Sequence, residues 1–400
     1  METTLIHPAN TAERKAVSFT AEKTTLTWYS YAVLISSISI VTGVIWDISW
    51  HMSIGRDTLF SPPHMAIYLG GILSGLSSFA KVIITSFFST PDEKEKAVSF
   101  WGLKAPLGTL FCIWGAGAMI TSAPFDDWWH NTYGLDVKIL SPPHAVLAFG
   151  IIAIQFGVML HLLALQNQSE RSLTSEGTKQ LLRMLYALTT GILVMGLYIF
   201  TLEYMSRSQM HNPIYYQVAC GAMPLCLLAG ARASRLKWPA VTIAGVYMLG
   251  FIIALWILPL FPAEPKLAPI RNRVDHFVPL PFPTLLIIPA LGLDLVLKRI
   301  KTSSLWMQAV AAGIVFFALL FVSQWFFSIF LQSPYSRNWV FGTHAWAYYS
   351  MPNWPYRFSF RPFPGTATGY FISFISAPFI AILSCRIALA WGNWMRRVQR

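Results

Sequence analysis

Charged residues are scarce in this chain of 400 residues, where Asp, Glu, Lys and Arg together make up 12% of the sequence. Soluble domains carry about 25% charged residues, so this composition excludes an ordinary soluble domain. The net charge of +12 does not indicate nucleic-acid binding, because the basic residues fall mainly between apolar runs. In a membrane protein that distribution reports orientation.

Cysteine is also rare, and none of its four occurrences has C-x-x-C spacing or forms a C-x-x-C-H haem attachment site. All four lie inside apolar segments, and we interpret them as buried small apolar residues. Residues 1–25 are polar and contain no apolar core, so we expect no cleaved signal peptide. The first membrane helix then acts as the insertion signal.

Long apolar runs are abundant, with 55% hydrophobic residues and a mean hydropathy of +0.52. Their lengths match the thickness of a bilayer and predict an all-α, polytopic membrane helix bundle of about ten transmembrane helices (range 9–11). We expect three parts: an N-terminal segment at 1–26, a six-helix metal-binding core at 27–232, and further membrane helices at 233–400 with an aromatic-rich outer loop at 332–365. The predicted spans are 27–50, 64–88, 103–125, 144–166, 182–203, 212–232, 238–260, 283–298, 305–331 and 366–391.

The distribution of cations predicts the orientation. Lys and Arg concentrate in one set of loops and in both terminal segments, which the positive-inside rule assigns to the cytoplasm. The opposite loops then face outward, towards the periplasm if the membrane is a bacterial inner (plasma) membrane. Seven of the nine histidines are predicted at or beyond this outer face, namely His51, His64, His130, His144, His211, His276 and His344. Chemistry on one side of the membrane is therefore expected.

A polar motif occurs twice at that face. Residues 46–64 read WDISWHMSIGRDTLFSPPH, and residues 125–144 read FDDWWHNTYGLDVKILSPPH. Each copy has an Asp, a His four residues later, and a second His in Ser-Pro-Pro-His at the start of the next helix. Spacing of four residues places two side chains on one helix face. Serine is a good N-cap and proline suits the first turn, so the second His is predicted in that turn.

The repeated residues suit a metal site. A carboxylate near the negative end of a helix dipole is unfavourable unless a cation compensates, and one carboxylate with two imidazoles is a common three-point ligand set. By ligand type alone copper, non-haem iron and zinc all remain possible. We predict two groups of metal ligands that are also the catalytic residues: Asp47, His51 and His64 in the first copy, and Asp126, His130 and His144 in the second.

Several other residues are expected to support these ligands. Arg56 is a candidate counter-ion, while Asp57 and Asp136 are candidates to orient ligand imidazoles. A partial third copy contains Glu203 and His211, which could supply an outer carboxylate and imidazole; alternatively, Glu203 pairs with Arg207. Four aromatic residues near the motif either line a pocket or belong to the interfacial aromatic belt: Trp50, Trp128, Trp129 and Tyr133.

The motif resembles the copper motif of the C subunit of particulate methane monooxygenase and ammonia monooxygenase, best over residues 27–166. In that family Asp, His and His with the first copy's spacing bind copper, and a neighbouring site uses Asn, His and His with the second copy's spacing. Asp126 stands where the family has the amide, which adds negative charge. The last four spans have no counterpart, and the family enzyme has two further subunits, one with a soluble copper domain.

The resemblance implies a copper-dependent membrane monooxygenase that oxidises a small apolar substrate with dioxygen, with possible additional membrane or copper-domain subunits and no nucleic-acid partner. Two alternatives remain from the residues themselves. An intramembrane zinc hydrolase also uses three protein ligands and water. A non-catalytic copper-binding or transport protein is the third possibility, although its soft Met and Cys ligands do not form a regular series here.

Overall fold

The computed structural model describes residues 24–55, 58–95, 97–133, 141–266 and 269–399, and within them every side chain except that of His130. These residues form a bundle of α-helices with one small β-hairpin. The helices are α1 (Trp28–Ser53), α2 (Pro62–Ile83, continued by a π-turn at Ile84–Phe88), α3 (Pro91–Glu95), α4 (Leu107–Tyr133), α5 (Pro142–Ser169), α6 (Glu176–Thr201), α7 (Pro213–Ala233), α8 (Pro239–Ile257), α9 (Ile287–Arg299), α10 (Leu305–Gln332) and α11 (Ala367–Met395).

Nine helices of the described residues are long and apolar enough to cross a membrane, which confirms the predicted all-α polytopic class. Helix α9 is not one of them. It was predicted as the eighth span, at 283–298, but it has 13 residues and a length of about 20 Å at 1.5 Å per residue. The described residues therefore contain nine membrane-length helices and one short one, within the predicted range.

A segment without regular secondary structure at 277–286 precedes α9. It contains Pro279, Pro281 and Pro283, and proline at every second position prevents a helix because each ring removes an N–H donor and restricts the preceding residue. Most of the segment is buried. Non-helical backbone is tolerated at membrane depth only where protein covers it, and here the backbone N–H of Leu285 donates to Oε1 of Gln324 on α10, at 3.0 Å.

The helix directions place the turns α1–α2 and α4–α5 at one end of the bundle, together with the connections α6–α7, α8–α9 and α10–α11. We call this the motif end. The described chain termini lie at the other end, where Thr24 and Gln399 hydrogen-bond to Thr174 and Gln168 next to the α5–α6 turn. This agrees with termini on one side of the membrane, while the predicted cytoplasmic side remains a prediction.

Close packing within the two motif hairpins depends on glycine. A Cβ atom on Gly115 of α4 would lie 2.5 Å from the carbonyl oxygen of Gly150 on α5, and one on Gly70 of α2 would lie 2.8 Å from that of Ser36 on α1. Small residues allow such close approach of membrane helices. Both hairpins are therefore held at short interhelical distance, with their turns at the same end.

The buried apolar residues form two clusters. One joins α1, α2, α4 and α5, and includes Tyr29, Ile40 and Ile154. The other is larger and is formed chiefly by α6 to α11. The predicted division of the chain at residue 232 remains a prediction, although the packing groups α6 and α7 with the C-terminal helices.

A β-hairpin that the sequence did not predict lies at the end opposite the motif end. Strands β1 (Val98–Phe100) and β2 (Leu103–Ala105) pair antiparallel. Trp101 and Gly102, both with positive φ, form the two-residue turn, as expected for a tight hairpin.

Candidate metal centre

The first motif hairpin brings its three predicted ligands together. Asp47 and His51 lie one turn apart near the end of α1, and His64 lies in the first turn of α2. Nε2 of His64 is 3.4 Å from Oδ1 of Asp47, and Nε2 of His51 is 3.8 Å from Oδ2 of the same carboxylate. The predicted convergence of one carboxylate and two imidazoles is therefore present.

A backbone hydrogen bond sets the orientation of the His64 ring. Nδ1 of His64 lies 3.0 Å from the carbonyl oxygen of Thr58. A carbonyl oxygen only accepts, so Nδ1 carries the proton, and Nε2 faces Asp47. Histidines that bind metals through one ring nitrogen commonly donate the other N–H to a carbonyl or carboxylate. The ring is thus oriented as a metal ligand would be.

The second hairpin repeats the main contact. Nε2 of His144 is 3.4 Å from Oδ1 of Asp126, the same distance as between His64 and Asp47 in the first copy. The backbone N–H of His144 donates to Oγ of Ser141, which caps α5 as predicted. His130 follows Asp126 by one turn on α4.

The first hairpin differs in its cap. Ser61 occupies the N-cap position of α2, but its hydroxyl makes no capping hydrogen bond there. The first backbone hydrogen bond of the helix is the same in both copies: the carbonyl of Ser61 accepts from the N–H of Met65 at 3.0 Å, and that of Ser141 accepts from the N–H of Ala145 at 2.8 Å. The predicted side-chain cap is therefore found only in the second copy.

Two donor separations in the first hairpin are near the spacing that one ion requires. Ligands at about 2.0 Å from a tetrahedral ion lie about 3.3 Å from one another, and Oδ1 and Oδ2 of Asp47 lie 3.4 and 3.8 Å from the two imidazoles. Within the described part of the chain, no three His, Cys, Asp or Glu side chains form a group that could hold a metal ion as they stand. The donor types suit a metal, and the imidazole of His51 is 48% exposed.

The connections of the C-terminal half pack against the end of α1, which the sequence did not reveal. Oγ of Ser49 donates to the carbonyl of Val278, and the N–H of Val278 donates to Oγ of Ser53, both at 2.7 Å. The N–H of Tyr348 donates to the carbonyl of Met52 at 2.9 Å. Segments more than 200 residues along the chain therefore hold the helix end that carries Asp47 and His51.

The aromatic residues of the motif differ in exposure and contacts, and none of them lines a described cavity. Trp128 and Tyr133 are 52% and 65% exposed, as expected for an interfacial belt. Trp50 instead contacts Phe277 of the α8–α9 connection, with ring centroids 6.0 Å apart. Trp129 contacts Tyr133, with ring centroids 4.6 Å apart.

The partial third copy has other contacts. The ring of His211 lies between those of Trp325 and Phe360, at centroid distances of 3.8 and 3.6 Å, and its Nε2 lies 3.3 Å from the carbonyl oxygen of Trp325. Glu203 is exposed and has no ion pair within the described residues, and Arg207 contacts the α10–α11 connection instead. The predicted supporting residues Arg56, Asp57 and Asp136 lie outside the described residues.

An apolar groove lies on the surface of the first hairpin. It has a volume of about 280 Å³ and is lined by residues of α1 and α2, namely Ile35, Ile38, Ser39, Thr42 and Ala66. Ala66 is two residues from His64 in the sequence. The groove therefore lies against the helices that carry the first ligand set.

Comparison with known proteins gives no relative. No protein-family model, curated protein or solved structure matches the chain.

Proposed function

We propose that the chain is a copper-dependent membrane oxidoreductase of the monooxygenase type, which acts on a small apolar substrate at the motif end. The observation that supports this most is the repeated carboxylate–imidazole contact, at 3.4 Å in each of two hairpins that differ in sequence. Chance placement of polar residues at helix ends would not reproduce the same pair twice.

The ligands would be Asp47, His51 and His64 for one ion, and Asp126, His130 and His144 for a second. Copper bound there would supply redox chemistry with dioxygen. The protein groups have separate tasks. The carbonyl of Thr58 holds the His64 ring in its tautomer, and the glycine contacts between the paired helices fix the distance between the ligand-bearing segments.

The surroundings support an apolar substrate. The groove on α1 and α2 opens to the protein surface, and Ile35 and Ile38, which line it, are 57% and 43% exposed, as expected of side chains that face lipid. A small hydrocarbon-like molecule partitions into the bilayer for the same reason that apolar side chains leave water. It would reach the ligand-bearing helices from the membrane, and polar competitors would stay in solution.

Metal analysis of protein purified from its own membranes tests the proposal. Inductively coupled plasma mass spectrometry and electron paramagnetic resonance would compare the wild type with a variant in which His51, His64, His130 and His144 are all changed to Ala. A second variant, with His276→Ala and His344→Ala, is the control because these histidines also lie at the motif end but outside the hairpins.

We expect copper in the wild type and the control, and none in the fourfold variant. Oxygen uptake with a reductant and small alkanes should then follow the copper content. Copper that persists in the fourfold variant would overturn the assigned ligands. If zinc is the only metal found and the fourfold variant lacks it, the assigned ligands would stand. The proposed activity would then change from oxidoreductase to hydrolase.

A further inference from the structure

Three arginines from distant parts of the sequence meet at the motif end. Arg207 belongs to the α6–α7 connection, and Arg337 and Arg357 belong to the α10–α11 connection. The Arg207 guanidinium lies over the ring of Trp346, with its carbon 4.8 Å from the ring centroid, and that of Arg357 lies at the same distance from this ring. Arg337 lies 3.6 Å from the centroid of Phe358. We call these five residues the arginine cluster.

The positive charges of the cluster are not balanced by acids. In the portion of the chain that the structure describes, none of its arginines forms an ion pair with a carboxylate. Burial, together with the nearby charges of Arg337 and Arg357, lowers the pKa of Arg207 to about 10. Burial and Arg337 also lower the pKa of Arg357. Neighbouring like charges in a partly buried site destabilise a protein unless an opposite charge joins them.

The aromatic contacts do not satisfy the hydrogen-bonding groups of the cluster. Nε of Arg357 and Nε1 of Trp346 are both buried, and within the described residues both lack a hydrogen-bond acceptor. A buried N–H without an acceptor destabilises the folded protein. Of the remaining donors, Nη2 of Arg207 reaches the carbonyl of Arg357 and Nη1 of Arg357 reaches that of Pro352, both at 3.2 Å. Two buried N–H donors, one of Arg357 and one of Trp346, therefore lack an acceptor within the described residues, and they lie beside three positive charges.

The two connections that carry the cluster also line a cavity, although none of the five cluster residues is among its lining residues. This cavity of about 350 Å³ is lined by Gln209, Asn212, Ile214 and residues 361–364. Gln209 is in the same short 3-10 helix as Arg207. Arg361 adds a fourth cation, 5.1 Å from the ring centroid of Trp354, and its backbone N–H donates to the carbonyl of Ser208 at 2.8 Å. The two connections that carry the arginines are therefore joined directly at this cavity.

We propose that the arginine cluster is an anion-binding site for a phosphate group, with Arg207, Arg337 and Arg357 supplying charge and Trp346 an additional N–H donor. Arginine binds phosphate strongly because its planar guanidinium presents paired N–H donors. The α10–α11 connection also exposes Tyr335, Trp339 and Val340, a composition typical of the bilayer interface. The phosphate can therefore be that of a lipid headgroup or a free anion.

The site is independent of the proposed metal chemistry, since none of its residues is a predicted metal ligand. Purified protein would be titrated with inorganic phosphate in nanodiscs of phosphatidylcholine, with chloride at equal ionic strength as the screening control. A second arm would compare nanodiscs with and without phosphatidylglycerol. The readout is the midpoint of thermal unfolding, which rises with any ligand that binds only the folded state.

Three variants and a control locate the effect. Arg357→Gln and Arg207→Gln remove charge, while Trp346→Phe keeps the aromatic ring and removes only the N–H donor. Arg273→Gln is the matched control, because Arg273 is an exposed arginine on the α8–α9 connection at the same end. We expect Arg357→Gln to weaken phosphate or phosphatidylglycerol binding at least about tenfold, which corresponds to about 1.4 kcal/mol, and Trp346→Phe to weaken it by a smaller factor.

The two arms identify the source of the phosphate. A shift with inorganic phosphate supports a site for free anions as well as headgroups, and a shift with phosphatidylglycerol alone supports a headgroup site. No shift in either arm for the wild type would overturn the proposal. An equal shift in the wild type and in Arg357→Gln would do the same, since it would reflect general surface charge. If Arg207→Gln does not fold, the proposal is tested by the unfolding shifts of Arg357→Gln and Trp346→Phe, each compared with that of Arg273→Gln.

Discussion

Nε2 of His64 lies 3.4 Å from Oδ1 of Asp47 across the turn that joins α1 to α2. The contact exists because Asp47 is near the end of one helix and His64 is in the first turn of the next, so both side chains stand at the same depth. His144 and Asp126 have the same relationship across the α4–α5 turn. The pairing is thus a property of the hairpin, and the hairpin occurs twice.

The carboxylate of Asp126 offers a direct test of ligand chemistry. Asp126→Asn keeps an oxygen donor of nearly the same shape. Asparagine also stands at this position in the copper motif that the sequence resembles, so we expect metal to stay bound. Asp126→Ala removes the donor, and the affinity of the second site should fall at least about tenfold, or about 1.4 kcal/mol. Competition with a chelator of known affinity measures both. Equal affinity of the alanine variant and the wild type would exclude Asp126 as a ligand.

Glycine contacts in the second hairpin should control its stability. In Gly115→Ala the new methyl group meets the carbonyl oxygen of Gly150 at 2.5 Å, so the helices must separate, at a cost of about 1–3 kcal/mol. Gly117→Ala on the same helix is the control, because its methyl group would have no atom within 4 Å and alanine favours the helix by about 1 kcal/mol. Thermal unfolding in detergent should show a lower midpoint for the first variant only. A similar decrease in both would argue against close α4–α5 packing.

A buried carboxylate should stabilise the contact between α8 and α9. Asp294 is 5% exposed and accepts from the backbone N–H groups of Ala240 and Val241, at 3.2 and 3.0 Å, in the first turn of α8. Hydrogen bonds to charged groups contribute about 1.5–3 kcal/mol, so Asp294→Ala should lower the free energy of unfolding by about 2 kcal/mol. Asp127→Ala, where the exposed carboxylate accepts only from Asn131 within the described residues, should change it by less than about 0.5 kcal/mol. Denaturant unfolding distinguishes the two, and equal effects would contradict the assigned role of Asp294.

Acidification should destabilise the protein through His211. Burial between Trp325 and Phe360 lowers the pKa of His211 below its ordinary value of about 6.5. The unfolded chain then binds more protons than the folded one as the pH falls below about 6.5, so stability decreases in that direction. His211→Phe keeps the stacking and cannot titrate, and its unfolding midpoint should fall less between pH 7 and pH 5 than that of the wild type. If the unfolding midpoint falls equally in both proteins, His211 is not the cause of the destabilisation by acid.

Local patterns predicted the helices and the centre of the motif, because both depend on residues close in sequence. Apolar runs of bilayer length predicted the nine long helices. The four-residue spacing of Asp47 and His51, with the helix start before His64, predicted their convergence. Each of these inferences needs only the geometry of one helix or one turn.

Contacts between distant segments could not be predicted in this way. The bond from Ser49 to Val278 and the stacking of Arg207 on Trp346 join residues that have no common periodicity. The non-helical segment at 277–286 did have a local signal, since its alternating prolines exclude a helix. Its apolar composition nevertheless resembles that of a membrane helix, and burial by neighbouring helices makes the non-helical form possible.

That segment has a consequence for how the protein is made. An apolar non-helical segment with unpaired backbone groups is not stable alone in lipid, so we expect that it cannot leave the insertion machinery as an independent unit. Gln324 of α10, which accepts from Leu285, is synthesised later. We expect nascent chains that end before α10 to keep residues 277–299 accessible to water, and chains that include α10 to protect them. Cysteine labelling of ribosome-bound intermediates of increasing length would show at which chain length residues 277–299 become protected.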